Sequence, residues 1–218
     1  MACRSGSGRT ASSLLGEHNA GNLAAAVTAA TLLGEDLERV LTVVPALRGA
    51  RGRMQRVLAA PVLGLVDYAH TPEAVLLALA AGRRLRPGGR LVAVAGCGGD
   101  RDSMKRPAIG AALATADAAV FTSDNPRSEQ PRAIVAAMLR GVTADRRPRV
   151  HVELDRRRAI ELAARLARPG DIVLALGKGH ETGQQIGGTT HRWDDAAELR
   201  AALLETVRDG HATAICTP

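Results

Sequence analysis

The sequence predicts an α/β fold: a Rossmann-like, mostly parallel sheet with helices on both faces, preceded by a short helical block. Three observations carry this. From residue 54 onward, short apolar runs alternate with segments of helical length, the βαβ repetition that builds a parallel sheet. The runs, such as Leu91-Val92-Ala93-Val94-Ala95 and Ile172-Val173-Leu174-Ala175-Leu176, are apolar throughout. Strands covered on both faces read this way, without alternation. Polar motifs then follow four of these runs.

The elements are expected in this order. Residues 1 to about 13 are small and polar and should fray. Gly16-Glu17-His18-Asn19-Ala20-Gly21-Asn22 leads into an Ala-rich helix over Leu23–Leu33, with Asn19 or Asn22 as its cap. A second helix is expected over Leu37–Leu47. This block shows no strand pattern and must pack on something larger. Arg48-Gly49-Ala50-Arg51-Gly52-Arg53 reads as a linker, dividing the chain into 1–49 and 50–218. Strands follow at Met54–Leu58 and Val62–Val66, around Pro61. A helix over Pro72–Leu85 has Thr71 at the cap and proline at its first position. It ends near Pro87-Gly88-Gly89. The remaining strands are Leu91–Ala95, Ala118–Thr122, Val150–Glu153 and Ile172–Leu176. The remaining helices are Pro107–Ala116, Pro131–Arg140, Arg156–Ala167 and Asp195–Val207.

Composition excludes several classes. The only aromatic residues are Tyr68, Phe121 and Trp193, too few for a base-stacking platform. The net charge of +7 comes from arginines scattered along the chain, without a basic tail. That pattern argues against a nucleic-acid arm and suits solvated faces or an anionic ligand. Cys3, Cys97 and Cys216 are odd in number and widely spaced, so neither a disulfide framework nor a metal site is expected. No apolar run has the length of a membrane span, and Met1–Gly8 has no apolar core of a signal peptide. A cytoplasmic protein is the expectation.

Four motifs carry the chemistry, and in a doubly wound sheet the loops after the strands share one rim. Asp67-Tyr68-Ala69-His70 offers a carboxylate for a ribose hydroxyl and an imidazole for a phosphate, or else a capped helix start with a core tyrosine. Gly96-Cys97-Gly98-Gly99-Asp100-Arg101-Asp102 offers backbone N–H groups and an arginine suited to bidentate anion recognition, or else an Arg101–Asp102 surface pair. Cys97 reads as a small turn residue rather than a nucleophile. Asp124-Asn125-Pro126-Arg127 holds both ends of an amino acid, ammonium at Asp124 and carboxylate at Arg127, or is a plain turn. Gly177-Lys178-Gly179-His180-Glu181 brings Lys178 to an anion and Glu181 to an amine. It is not a P-loop, which requires an earlier glycine and a Ser/Thr after the lysine. No P-loop and no metal-ligand spacing occurs in these residues.

Together, VDYAHTP, GCGGDRD, DNPR and GKGHE in this order resemble the Mur ligase family, from about Gly16 to the last helix. Within it they resemble the members that add diaminopimelate to UDP-N-acetylmuramoyl-L-alanyl-D-glutamate. The resemblance implies an ATP- and Mg2+-dependent ligase of peptidoglycan synthesis with three domains. Residues 1–49 would end the central ATPase domain and 50–218 would form the C-terminal domain. It implies nucleotide contacts at Asn19, Asn22, Arg53, Asp67, Tyr68 and His70. It implies diaminopimelate contacts at Arg101, Asp124, Asn125, Arg127, Gly177 and Glu181. The carboxylate would be phosphorylated by ATP and the acyl phosphate attacked by the amine. Gly183 stands where relatives often carry an aromatic residue, and Trp193 where they often carry Phe. The P-loop, metal ligands and UDP-binding domain have no counterpart in these residues. The expectation is therefore a truncated or split chain, inactive alone, whose partner chain supplies those parts. A non-enzymatic amino-acid or nucleotide module is the alternative, and an unrelated dehydrogenase is disfavoured by the absence of GxGxxG.

Overall fold

The computed structural model describes residues 2–5, 8–12, 14–16 and 18–215. Glu17, Cys216 and the side chain of Cys3 lie outside the described part. The chain forms two compact units, residues 1–50 and 51–218.

The first unit corrects the sequence reading in three places. A hairpin of β1 (Ala2–Ser5) and β2 (Gly8–Ala11) occupies the stretch expected to fray and the block expected to lack strands. Helix α1 (His18–Leu32) begins ahead of both candidate caps. Asn19 Nδ2 donates to the Leu15 carbonyl at 2.6 Å and Asn22 Nδ2 to Asn19 Oδ1 at 3.4 Å, so neither side chain caps the helix. Helix α2 (Leu37–Val43) is shorter than expected and tightens into a 3-10 turn at Val44–Ala46. Pro45 has no N–H to continue the α-helical pattern. Asp36 caps α2, accepting from Arg39 N at 2.9 Å. The core of this unit is small: Leu23, Val27 and Val44.

The second unit contains β3 (Gln55–Leu58), β4 (Leu63–Asp67), α3 (Pro72–Leu85), β5 (Leu91–Ala95), α4 (Arg106–Leu113) and β6 (Ala118–Phe121). It continues with α5 (Pro131–Leu139), β7 (Val150–Val152), α6 (Arg156–Leu166), β8 (Ile172–Leu176), β9 (Gly183–Ile186), β10 (Thr189–Arg192) and α7 (Asp195–Ile215). Six strands form one sheet in the order β3-β4-β8-β5-β6-β7. Only β3 runs antiparallel to its neighbour; the rest are parallel. The chain leaves a slot between β4 and β5, builds outward to β7, and returns through α6 to place β8 in that slot.

The pleat splits the strand residues between two apolar layers. Val92, Val94, Val120, Val173 and Ala175 face Ile160, Ala163, Leu199 and Leu203 of α6 and α7. The alternate residues, such as Leu91 and Leu174, lie under α3, where Gly82 sits against both. Each fully buried aliphatic side chain in these layers contributes about 2 kcal/mol. Thr71 caps α3, accepting from Ala74 N at 3.2 Å.

The hairpin β9–β10 was not anticipated. Its turn is Gly187-Gly188, both at positive φ (53° and 80°), the geometry favoured in two-residue hairpins. Helix α4 is shorter than expected and α7 longer.

Candidate functional site

Strands β4, β8, β5 and β6 end on the same edge of the sheet, so the four motif loops meet there. Three of those loops supply the six residues expected to hold an amino acid. Arg101, Asp124, Asn125, Arg127, Gly177 and Glu181 all line one cavity of about 290 Å³. Tyr68, His70 and Cys97 line it too, as do Lys105 and Ile109, which the sequence had not marked.

The loops approach so closely that side chains are excluded at set points. A Cβ on Gly96 would lie 2.2 Å from the Thr122 carbonyl oxygen, and one on Gly99 would lie 1.9 Å from that of Pro126. Asp100 and Arg127, neither of them glycine, take left-handed backbone at φ 51° and 52°. Such strain persists only where surroundings enforce it, and here they do. Asp100 accepts from Ser128 N and Oγ at 3.1 and 2.6 Å. Arg127 Nη1 donates to the Gly99 carbonyl at 2.6 Å and Nε to Gln185 Oε1 at 3.0 Å. The hairpin β9–β10 thereby becomes part of the site's frame, and Gln184 Nε2 reinforces it by donating to the Asp124 carbonyl at 2.8 Å.

The charges are arranged in depth. Lys178 is fully buried and donates to Asn125 Oδ1 and Glu181 Oε2, both at 2.9 Å. The anion expected for Lys178 is therefore Glu181 itself, and the ammonium does not face the cavity. Asn125 Nδ2 also donates to Glu181 Oε2, at 2.8 Å. Burial raises the Glu181 pKa, but the bonds from Asn125 and Lys178 outweigh it and hold the carboxyl below its ordinary value. Asp124 is buried, and desolvation pushes its pKa up against the opposing charges of Arg156 and Lys178. Burial drives the Cys97 thiol up to about 12, so it stays protonated at neutral pH. That agrees with its reading as a turn residue.

Arg101 is exposed at the cavity, and Asp102 turns away from it to accept from Met104 N at 2.9 Å. At the mouth, Tyr68 is half-buried rather than core. His70 packs edge-on at 4.7 Å, the ring of His180 lies at 5.0 Å, and the Arg53 guanidinium sits 4.9 Å over the tyrosine ring. Asp67 does not line the cavity. It is 8% exposed, with Oδ2 accepting from Met54 N at 2.7 Å and Oδ1 from Ala69 N at 2.9 Å. It ties the linker to the Tyr68 loop.

Sequence reasoning missed the side chains behind the site. Arg156, at the first position of α6, is fully buried. It pairs with Asp195 through Nε at 2.8 Å and Nη2 at 2.6 Å, and donates to the carbonyls of Ser123 and Leu176. Trp193 Nε1 adds a bond to Asp195 at 2.7 Å. Arg106, at the first position of α4, pairs with Glu129 and donates to the Gly98 carbonyl at 3.1 Å. Among the described residues no three His, Cys, Asp or Glu side chains converge on a metal position, and no helix is long and apolar enough to cross a membrane.

A family model described as Mur ligase, glutamate ligase domain matches residues 52–179. UDP-N-acetylmuramoyl-L-alanyl-D-glutamate–2,6-diaminopimelate ligases from Chromobacterium violaceum and Streptomyces coelicolor are each 48% identical, over 193 and 200 residues. These matches cover 87% and 89% of this chain but 38% and 39% of the relatives. A solved ligase structure of the same description is 45% identical with a TM-score of 0.69, covering 93% of this chain and 41% of that one. The chain thus spans about two fifths of the length of the curated relatives it matches. The matched stretch takes in the whole six-stranded sheet and the loops after β4, β5 and β6, and ends within the loop after β8: the chain belongs to the Mur ligase family.

Proposed function

We propose that the cavity binds diaminopimelate and presents its amine to an activated carboxylate in an ATP-dependent, amide-forming step of peptidoglycan precursor synthesis. The observation that carries this is the meeting of Arg101, Asp124, Asn125, Arg127, Gly177 and Glu181 around one cavity. Asp124 and Glu181 receive an ammonium group, and Arg127 with Arg101 receives a carboxylate. Arginine suits that task because its planar donors match a carboxylate's two oxygens. Rigid loops position the amine before reaction, which lowers the entropy lost on the way to the transition state.

The Tyr68 ledge, with His70 and Arg53, borders the nucleotide. Asp67 fixes that ledge rather than touching the ligand. Asn19 and Asn22 are the proposed nucleotide contacts of the first unit, as the end of the central ATPase domain. The acceptor, the UDP-N-acetylmuramoyl dipeptide, and the ATP phosphates are held by protein outside residues 1–218. The magnesium ion would be held with those phosphates.

Calorimetry with meso-diaminopimelate tests the reading. Saturable heat is expected from the wild-type protein, with affinity reduced at least about tenfold by Arg127→Ala, the loss expected for one charge-assisted contact. Unchanged binding by that variant refutes the carboxylate role. Phosphate release from ATP by residues 1–218 alone would refute the need for an outside phosphate site.

A further inference from the structure

We propose that Arg156 and Lys178 are positioning residues: they hold Asp124 and Glu181 at the mouths of two loops as a pair that an ammonium group can bridge. The inference rests on the amino-acid reading above. Three carboxylates, Asp124, Glu181 and Asp195, lie against two buried cations, Arg156 and Lys178, while Arg101, Lys105 and Arg127 line the cavity itself.

The hydrogen bonds show which of these carboxylates is left open to a ligand. Asp195 is fully engaged, with two bonds from Arg156 and one from Trp193. Glu181 Oε2 accepts from Lys178 and Asn125. Among the described residues, the Asp124 carboxylate accepts no hydrogen bond, although it is buried and lines the cavity. Its oxygens are not sealed in but open onto the cavity, where a cation that brings its own N–H groups can supply the missing donors.

The same two cations set the spacing. Leu176 ends β8 and Ser123 lies two residues past the end of β6; the two strands are separated by β5 and do not pair. Arg156 donates to both carbonyls, at 3.2 and 2.9 Å, and so joins the end of β8 to the loop after β6, which share no ladder bond. Lys178 crosses between the same two loops, from Asn125 to Glu181. Asp124 and Glu181 therefore reach the cavity from two loops that the cations hold in register.

A proton and an ammonium group compete for Asp124. The groups packed against it are Arg156 from α6, Lys178 and Glu181 from the loop after β8, Asp195 from α7, and the neutral thiol of Cys97, and across the same cavity stand His70, Arg101, Lys105 and Arg127. Burial raises the Asp124 pKa, the two cations lower it, and Glu181 and Asp195 raise it. Ammonium binding is full above that raised value and is lost as pH falls through it.

The test combines carboxyl-carbon NMR titration with calorimetry of meso-diaminopimelate over the same pH range. In the wild type the pH at which affinity falls should coincide with the Asp124 midpoint. Lys178→Met should move both upward by about one pH unit, the scale for losing a nearby opposite charge, and Lys178→Arg should return them. A loop that had merely loosened would weaken binding equally at every pH, and unmoved midpoints in Lys178→Met overturn the inference. So does a wild-type affinity edge that fails to track Asp124, a result that needs no variant. No heat at all from the wild type overturns the ligand reading itself, and is distinguishable from bound ligand with unmoved midpoints.

Discussion

Two helices of the second unit open with an arginine, and each arginine braces the loops at the strand ends, but at different depths. Arg106 binds Glu129 at 2.7 and 2.8 Å and supports the Gly98 carbonyl; its side chain is 5% exposed and that of Glu129 33%. Arg156 binds Asp195 at 2.6 and 2.8 Å and supports the Ser123 and Leu176 carbonyls, with both side chains at 0% exposure. Arg106 Nε finds no partner. Around Arg156, one guanidinium serves both Asp195 oxygens and the Ser123 and Leu176 carbonyls, with only Trp193 Nε1 as a further donor to Asp195. Near the surface, a partner that loses its arginine turns to water. Inside, it has nowhere to turn.

Arg156→Met should have the largest effect. It strands Asp195 as an uncompensated buried charge, at a cost of about 3–5 kcal/mol in chemical denaturation. Adding Asp195→Leu should recover part of that loss, because the pair costs more broken than removed together. Arg106→Met should cost less, about 1–2 kcal/mol, since Glu129 becomes hydrated. Equal losses from the two single variants would break the contrast. A pH series sharpens it. Hydrogen bonds from Arg106, helped by the Asp100 N–H, lower Glu129 from 4.5 to about 2. A lowered carboxyl stabilises the fold above its unfolded value, and the contribution disappears as pH falls through the folded one. The stability gap between wild type and Arg106→Met should therefore narrow from about pH 4.5 down to about 2; a gap constant over that window contradicts the assignment. Thr71→Ala, removing a helix cap, should cost about 1 kcal/mol and marks the scale of a single half-exposed bond.

The strands were legible because their signal is local. Leu91–Ala95 and Ile172–Leu176 agree with the expected runs residue for residue. The position of β8 between β4 and β5 was not legible, since no local pattern encodes which slot a strand fills. The hairpin β9–β10 carries Gln, Thr, His and Arg on an exposed ribbon and lacks apolar alternation; Gly187-Gly188 was its one signal. The motif loops stood out because polar loops after apolar strands are conspicuous; the full set of six cavity residues came from the family resemblance. Their supports did not. Arg156-Arg157-Arg158 reads as a solvated helix start, and only the packed fold turns the first of the three inward. Asn19 and Asn22 misled as caps because α1 starts at His18, ahead of the Ala-rich run that drew attention.

Trp193 gives this arrangement an optical handle. It is the only tryptophan in the chain, 8% exposed, with its indole N–H on Asp195 and the Arg157 guanidinium 5.7 Å above its ring. Indole emission responds to the hydrogen bond it donates and to charge beside the ring. The fluorophore therefore sits one carboxylate away from Arg156, and any event that moves the brace is reported in its spectrum without a label.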